Sequence, residues 1–240
     1  MGIIFQSGKP NLYFSDCYYN FCHNFNSHWT YKLSVYQGCV AGDDSKSDYN
    51  PERNLSFKSN ITEISAVLEL NFFEYKTGSD DRKFSPFIFG GVSLFKFNPQ
   101  AKYKEQWYYL KPLGTEGQGT TDYSNRLPYN LVSLGFPFGI GIKYNIVKYL
   151  CISGEWGMRK TFTDYIDDVS TTYANSSVLS SQNTPMSAIL ADRTEYNPSE
   201  EHIDKTDFQR GNPTNNDWFS FIGITITFKL KDDDNTCNVW

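Results

Sequence analysis

The feature that most constrains the fold is a two-residue alternation that runs from residue 131 to residue 145. One set of side chains is apolar, and it comprises Val132, Leu134, Phe136, Phe138, Ile140, Ile142 and Tyr144. The residues between them are small or polar. Successive side chains of a β-strand point to opposite faces, and strands in globular proteins usually have about five or six residues. A strand this long with one apolar face predicts a wall between an apolar medium and a polar interior.

The same alternation recurs in segments that are separated by connections of two kinds. Further strands are read at residues 29–35, 63–72, 150–161 and 220–230, and less clearly at 13–22 and 85–98. Short connections at 24–27, 76–83 and 147–149 alternate with long ones at 42–60, 99–130 and 163–217. Outer-membrane barrels have short periplasmic turns and long extracellular loops. We therefore predict an all-β fold: an antiparallel up-and-down transmembrane β-barrel of about eight strands, seven of them clearly readable.

The first ten residues do not fit this scheme. They show neither the basic and apolar regions of an export signal nor a full strand, although an even number of strands requires one there. We expect a signal peptide and most of the first strand to be missing from the sequence, or residues 2–6 to be a stub of that strand. The whole chain, residues 1–240, is interpreted as one barrel domain with a C-terminal tail at 231–240.

Composition argues against several classes of protein. The formal net charge of −5 gives no support for nucleic-acid binding. The mean hydropathy is −0.51, and no apolar run approaches the roughly 18 residues of a membrane-spanning helix. The sequence has neither a nucleophile motif nor a phosphate-binding loop, so we expect no enzymatic activity and no cofactor. The 17% of aromatic residues suits the aromatic belts of a membrane barrel.

Three loop segments contain residues that could form binding sites. Residues Glu200, Glu201 and His202 read as a solvated acidic loop rather than a metal site. The carboxylates of Asp164, Asp167 and Asp168 follow a strand, and we favour an ion-pair cluster, with Arg210 as one candidate partner, over a calcium site. The glycine-rich segment at 114–120 lacks the features of a phosphate cradle, and it predicts a structured loop with positive φ angles.

Charged residues lie on the inward faces of the predicted strands. They are Lys32, Glu63, Glu69, Lys143, Glu155, Arg159 and Lys229. Isolated charges in a narrow barrel are costly to desolvate, and an eight-stranded barrel is only wide enough for side chains to fill. We therefore predict a paired charge network that plugs the lumen. In the last strand, Gly223, Ile226 and Phe228 form a Gly-x-x-apolar-x-aromatic pattern that resembles the signal by which the barrel-assembly machinery recognises outer-membrane barrels.

Several segments together resemble one family. They are RNLSF at 53–57, EIS at 63–65, ELNFFEY at 69–75, SPFIFGG at 85–91, PLGTEGQG at 112–119, PFGIG at 137–141, RKTFTDYIDDVS at 159–170, RGNP at 210–213 and NDW at 216–218. They are similar to PorG-like outer-membrane barrels of the type IX secretion system of Bacteroidota, over residues 24–230. The resemblance implies a non-catalytic component of the secretion and gliding machinery. It would link the outer membrane to a periplasmic ring made of a lipoprotein and its partner.

The expected contact surface for that ring is the periplasmic end of the barrel. It comprises the three short turns and the tail, in which Asp232, Asp233, Asp234, Cys237 and Trp240 are candidate partner-facing residues. Acidic side chains suit a basic partner, and Trp is a common hot spot of binding. The alternatives are a small channel or adhesin in the outer membrane, and a soluble barrel that binds an apolar ligand. The charged inward faces argue against the soluble barrel.

Overall fold

The computed structural model describes residues 2–5, 17–46, 51–194 and 203–229. Its strands are β1 Gly2–Phe5, β2 Cys17–Asn24, β3 Trp29–Asp43, β4 Ser56–Asn71, β5 Phe84–Lys96, β6 Pro99–Tyr103, β7 Gln106–Tyr109, β8 Val132–Val147, β9 Leu150–Thr161 and β10 Trp218–Phe228. Helical turns lie only in the connections: 3-10 turns at Asp44–Lys46, Pro51–Arg53 and Lys111–Leu113, α1 Ser176–Val178, a π-helical turn Leu179–Asn183 and α2 Pro185–Ala191. No helix in these ranges is long and apolar enough to cross a membrane.

The strands form one antiparallel sheet that curls around a lumen. Eight of them follow the order β1-β10-β9-β8-β5-β4-β3-β2. The β6–β7 hairpin pairs with β4 near the start of that strand and extends the sheet there. The curl brings Cα atoms of β1 within 8 Å of β3, which is second from the other end of the order. It also lets Lys32 on β3 bond Glu155 on β9 across the lumen. The fold is therefore the predicted all-β up-and-down barrel.

Two predicted loop segments contain strands. Strand β4 begins at Ser56, well inside the predicted loop at 42–60, while β3 ends at Asp43 near the start of that loop. Strands β6 and β7 lie in the predicted loop at 99–130. Polar residues such as Lys58 and Asn60 occupy the outward positions there, so the apolar alternation that indicates a strand is lost. At the other end, β2 continues to Asn24, so the first short turn lies at 25–28. The predicted N-terminal stub is strand β1, which pairs with β10.

The outward face of the barrel is apolar, as the alternation predicted. Leu68, Leu134, Phe138, Ile142, Ile224 and Ile226 are exposed, and Leu70 is half-buried on the same face. The inward face between these residues is buried and polar, with Thr30, Ser34, Glu63, Ser65 and Glu69 nearly inaccessible. Apolar side chains therefore cover the outside of the barrel, whereas the inside contains these buried polar groups as well as buried rings such as Phe87 and Phe89.

A substitution on the outward face tests whether this surface lies in lipid. We expect Leu68→Arg to destabilise the barrel, reducing its free energy of unfolding in lipid vesicles by roughly 2–4 kcal/mol, because an arginine near the bilayer midplane is poorly solvated. The matched control is Leu127→Arg, since Leu127 is 77% exposed in a loop beyond the barrel wall. Urea unfolding in vesicles measures both variants. Equal small effects would show that Leu68 does not face lipid.

Candidate functional site: a plugged lumen under a polar cap

Four buried charged residues form a continuous chain of ion pairs across the lumen. The carboxylate of Glu69 on β4 lies 2.7 Å from the amine of Lys143 on β8 and 3.0 Å from the amine of Lys32 on β3. Lys32 also reaches Glu155 of β9 at 2.7 Å. The side chains of all four are no more than 7% exposed. Because two cations alternate with two anions, their charges cancel within the chain.

A second ion pair lies nearer the long-loop end of the lumen. Arg159 on β9 contacts Glu63 on β4 at 3.0 Å, and the Glu63 side chain is completely buried. The guanidinium also lies 3.8 Å from the centre of the Phe221 ring. Such a cation–π contact strengthens when the cation is desolvated. The pair is therefore held by an aromatic face as well as by the opposite charge.

Aromatic rings and glycines complete the packing around these charges. Lys143 lies 4.6 Å from the Phe87 ring centre, and Lys32 lies 5.2 Å from that of Phe89. The rings fit because glycines face them: a Cβ on Gly141 would lie 2.3 Å from the Phe87 ring. A Cβ on Gly139 would likewise lie 2.7 Å from the ring of Phe89. The small inward residues of β8, read in the sequence only as alternation, therefore make room for the rings of β5.

An apolar layer closes the lumen toward the long loops. Its buried members are Tyr36, Val40, Phe57, Ile61, Phe95, Phe97, Ile166 and Phe219. Tyr129 and Tyr165 from two different loops stack on this layer, with ring centres 4.4 Å apart. Ion pairs followed by aromatic packing leave no wide channel along this part of the barrel. Toward the short turns the lumen opens into a recess of about 440 Å³, counting adjoining open solvent, lined by Lys32, Glu69, Lys143 and Tyr75.

The long loops are joined above this layer by a buried polar cluster, which we call the cap. Its centre is Glu116, which is 0% exposed. The carboxylate accepts hydrogen bonds from the backbone N–H groups of Ser170 at 2.8 Å and Thr171 at 3.1 Å, and from the Thr171 hydroxyl at 2.7 Å. Arg210 Nη1 donates to it at 3.0 Å. The Glu116 side chain, in the second long loop, thus binds backbone and side-chain groups of the third long loop.

Arg210 links the cap to the remaining loop segments. It donates to the carbonyl oxygens of Asp168 at 2.6 Å and Ala191 at 3.1 Å. Its own carbonyl accepts a hydrogen bond of 2.7 Å from Arg53, in the loop between β3 and β4. All three long loops therefore meet at Arg210, and they bring together the RNLSF, TEGQG and RGNP segments. The positive φ angles predicted for 114–120 occur at Gly114, Gly117 and Gly119.

Two of the three candidate aspartates, Asp168 and Asp167, accept hydrogen bonds in the cap, whereas the Oδ2 atom of Asp164 is buried without a hydrogen-bond partner among the described residues. The Asp168 carboxylate accepts from Tyr129 at 2.7 Å and from Thr115, while Asp167 accepts from the N–H of Val169 at 3.0 Å. The suggested pairing of these carboxylates with Arg210 was wrong, because the guanidinium pairs with Glu116 and, of the three aspartates, contacts only the backbone carbonyl of Asp168. No group of metal-ligating side chains occurs in the described part of the chain.

Burial changes the ionisation of carboxyl groups in the cap. It raises the pKa of Asp168 to about 7, although Arg210 opposes the shift. Burial likewise raises the pKa of Asp217 to about 9, and the charges of Asp167 and Asp164 add to the effect. Burial thus stabilises the protonated form of each group relative to a solvent-exposed aspartate.

The remaining predicted site residues are placed as follows. Lys229 does not belong to the lumen chain described above: β10 ends at Phe228, and Lys229 lies beside Gly78 at the short-turn end. Gly223 faces the lumen, whereas Ile226 and Phe228 are exposed on the outer wall. The tail residues Asp232, Asp233, Asp234, Cys237 and Trp240 lie outside the described residues, as do Glu200, Glu201 and His202.

One comparison with known proteins identifies a family. The model of a family described as a domain of unknown function, DUF6089, matches residues 15–188. The chain belongs to this family. The match covers strands β2 to β9, the glycine-rich segment and the predicted lumen charges except Lys229. No curated protein and no solved structure matches the chain.

Proposed function

We propose that this DUF6089 protein is a non-catalytic outer-membrane barrel that anchors a periplasmic assembly, as the resemblance to PorG-like components of the type IX secretion and gliding machinery implies. The observation that carries the proposal is the filled lumen within an apolar wall. Such a barrel provides a fixed position in a membrane, but neither a wide pore nor an enclosed apolar ligand site. An anchor needs only that position and a surface for its partner.

The distribution of aromatic residues on the outer wall supports a membrane location. Near the short turns the exposed aromatics include Phe25, Phe72, Phe73, Phe84, Tyr144, Tyr149 and Phe228. Near the long loops they include Phe136, Phe138, Phe162 and Trp218. Between the two groups lie aliphatic side chains such as Ile140, Ile142 and Ile224, with Trp156 beside Ile140. Membrane barrels have this arrangement, with an apolar band between two aromatic girdles.

The short-turn end is the proposed partner surface. In the usual orientation of outer-membrane barrels the short turns face the periplasm, where a ring of lipoprotein and partner would lie. Exposed charges at this end include Asp80, Asp81 and the ion pair of Glu74 with Arg82 at 2.8 Å. The long loops are instead tied to one another by the cap. A periplasmic partner therefore meets the short turns and the C-terminal tail.

Recovery of ring components in pull-downs tests the anchor proposal. We expect less ring protein with a chain that lacks residues after 230, and with Asp80→Lys/Asp81→Lys in the turn between β4 and β5. The matched control is Asp122→Lys/Asp207→Lys, which reverses two exposed charges in the long loops. Insertion of each variant is checked separately by protease protection. Unchanged recovery with both short-turn-end changes combined would contradict the proposed surface.

Conductance separates the anchor from the channel alternative. We expect purified protein in planar bilayers to show no stable conductance of porin size, because the ion pairs of Glu63, Glu69 and Glu155 fill the lumen. A stable large unit conductance would contradict the anchor proposal and favour a channel.

A further inference from the structure

The outer wall carries charges of one sign at the long-loop end. The outward positions of β4, β5, β6, β8, β9 and β10 contain four charged residues, and all four are lysines: Lys58, Lys96, Lys102 and Lys160. We call these four residues the outer lysine rim. No aspartate or glutamate occupies an outward position of the same strands. On these six strands the rim is therefore a positive zone, and Asp43, at an outward position at the end of β3, borders it.

The rim lies where the apolar band ends. On β5, the outward residues before Lys96 are Val92 and Leu94, which are 56% and 50% exposed. On β9, the outward residues Trp156 and Met158 precede Lys160, which lies at the end of the strand. In the proposed orientation the amines lie at the boundary between lipid tails and water. Phosphate groups of lipid headgroups occupy that level.

Two of the lysines are supported by tryptophans. Lys58 Nζ lies 5.8 Å from the ring centre of Trp107, and Lys160 Nζ lies 5.3 Å from that of Trp218. Trp107 is also the cross-strand partner of Lys102. Indole rings favour the membrane interface, and a cation held over a ring keeps ammonium protons for another acceptor. The tryptophans thus position amines at the level of the headgroups.

The charge of the rim is largely uncompensated. Among the described residues, no carboxylate lies within 4.0 Å of the amines of Lys58, Lys96 or Lys160. Lys102 contacts Glu105 at 2.5 Å, but the Glu105 side chain is 90% exposed, and exposed pairs of this kind are weak. A negatively charged ligand can therefore approach the rim.

We infer that the outer lysine rim binds the phosphate groups of phosphorylated lipids in the leaflet on the long-loop side. The inference rests on the proposed outer-membrane location. It adds to the proposed function a class of ligand, namely phosphorylated lipid headgroups. The lysine ammonium groups beside the tryptophan rings would bind them. A basic residue near an anionic membrane surface contributes roughly fivefold to binding, so three lysines together contribute about 100-fold.

The test compares two triple variants in phosphatidylcholine nanodiscs, where both leaflets are accessible. Lys58→Gln/Lys96→Gln/Lys160→Gln removes three rim charges. Lys76→Gln/Lys83→Gln/Lys148→Gln removes the same charge from the short turns, where Lys76 and Lys148 are exposed and Lys83 is half-buried. Diphosphoryl lipid A and its dephosphorylated form are titrated, and bound lipid is counted by native mass spectrometry. We expect about 100-fold weaker binding of the diphosphoryl lipid for the rim variant and little change for the short-turn variant.

Three outcomes would overturn the inference. They are equal loss of binding in both triple variants, equal binding of dephosphorylated lipid A, and competition by inorganic phosphate as effective as that by the lipid. Insertion into nanodiscs is established first by size-exclusion chromatography and protease protection. Failure to insert would contradict the membrane location and the rim together, whereas insertion without preference for the phosphorylated lipid would contradict the rim alone.

Discussion

Replacing Arg159 by methionine should reduce the free energy of unfolding by about 3–5 kcal/mol. The substitution leaves the carboxylate of Glu63 completely buried without its guanidinium, and an uncompensated buried charge is strongly destabilising. It also removes the cation over the Phe221 ring. Urea unfolding in lipid vesicles, followed by tryptophan fluorescence, measures the change.

The double variant Glu63→Leu/Arg159→Met gives the sharper result. We expect it to be much more stable than either single variant, and close to the original protein, because apolar residues of similar size often replace a buried ion pair without loss. The control is Lys160→Met, one residue along β9 on the outward face, with an expected change within about 0.5 kcal/mol. Additive destabilisation in the double variant would show that the two residues do not act as a pair.

Glu116→Gln should unfold the cap while leaving the barrel intact. The amide cannot compensate the buried charge of Arg210, and breaking such a pair costs about 3–5 kcal/mol. The backbone N–H groups of Ser170 and Thr171 donate to Glu116 and report on the cap directly. We expect their hydrogen exchange to be roughly 10²- to 10⁴-fold faster.

Exchange in the strands separates a local effect from a global one. The amides of β8 and β9 should keep their protection, since the cap lies beyond the barrel wall and local units can open independently. The matched control is Glu105→Gln in the exposed turn between β6 and β7, which carries the same change at a side chain that is 90% exposed. Unchanged exchange at Ser170 in the Glu116 variant would contradict the role assigned to the cap.

The sequence determined the class of fold and the direction in which most strand residues point. Alternation placed Leu134 and Ile142 outside and Glu63 and Glu155 inside, because the two-residue period of a strand follows from the backbone alone. The order of short and long connections indicated the up-and-down topology. Strand ends were less well defined: Lys58 and Asn60 were read as loop because their outward positions no longer alternate apolar with polar.

Only the tertiary structure decided which inward charges meet. Lys32 and Glu155 are 123 residues apart, and Glu116 and Arg210 are 94 apart. Partners across a lumen depend on the number of strands and on their stagger, and neither is written in the pattern of any one strand. The same limit explains Lys229, whose position has inward parity although its strand ends one residue earlier. Periodicity fixes the face of a residue, whereas its neighbour is fixed by how the strands close around the lumen.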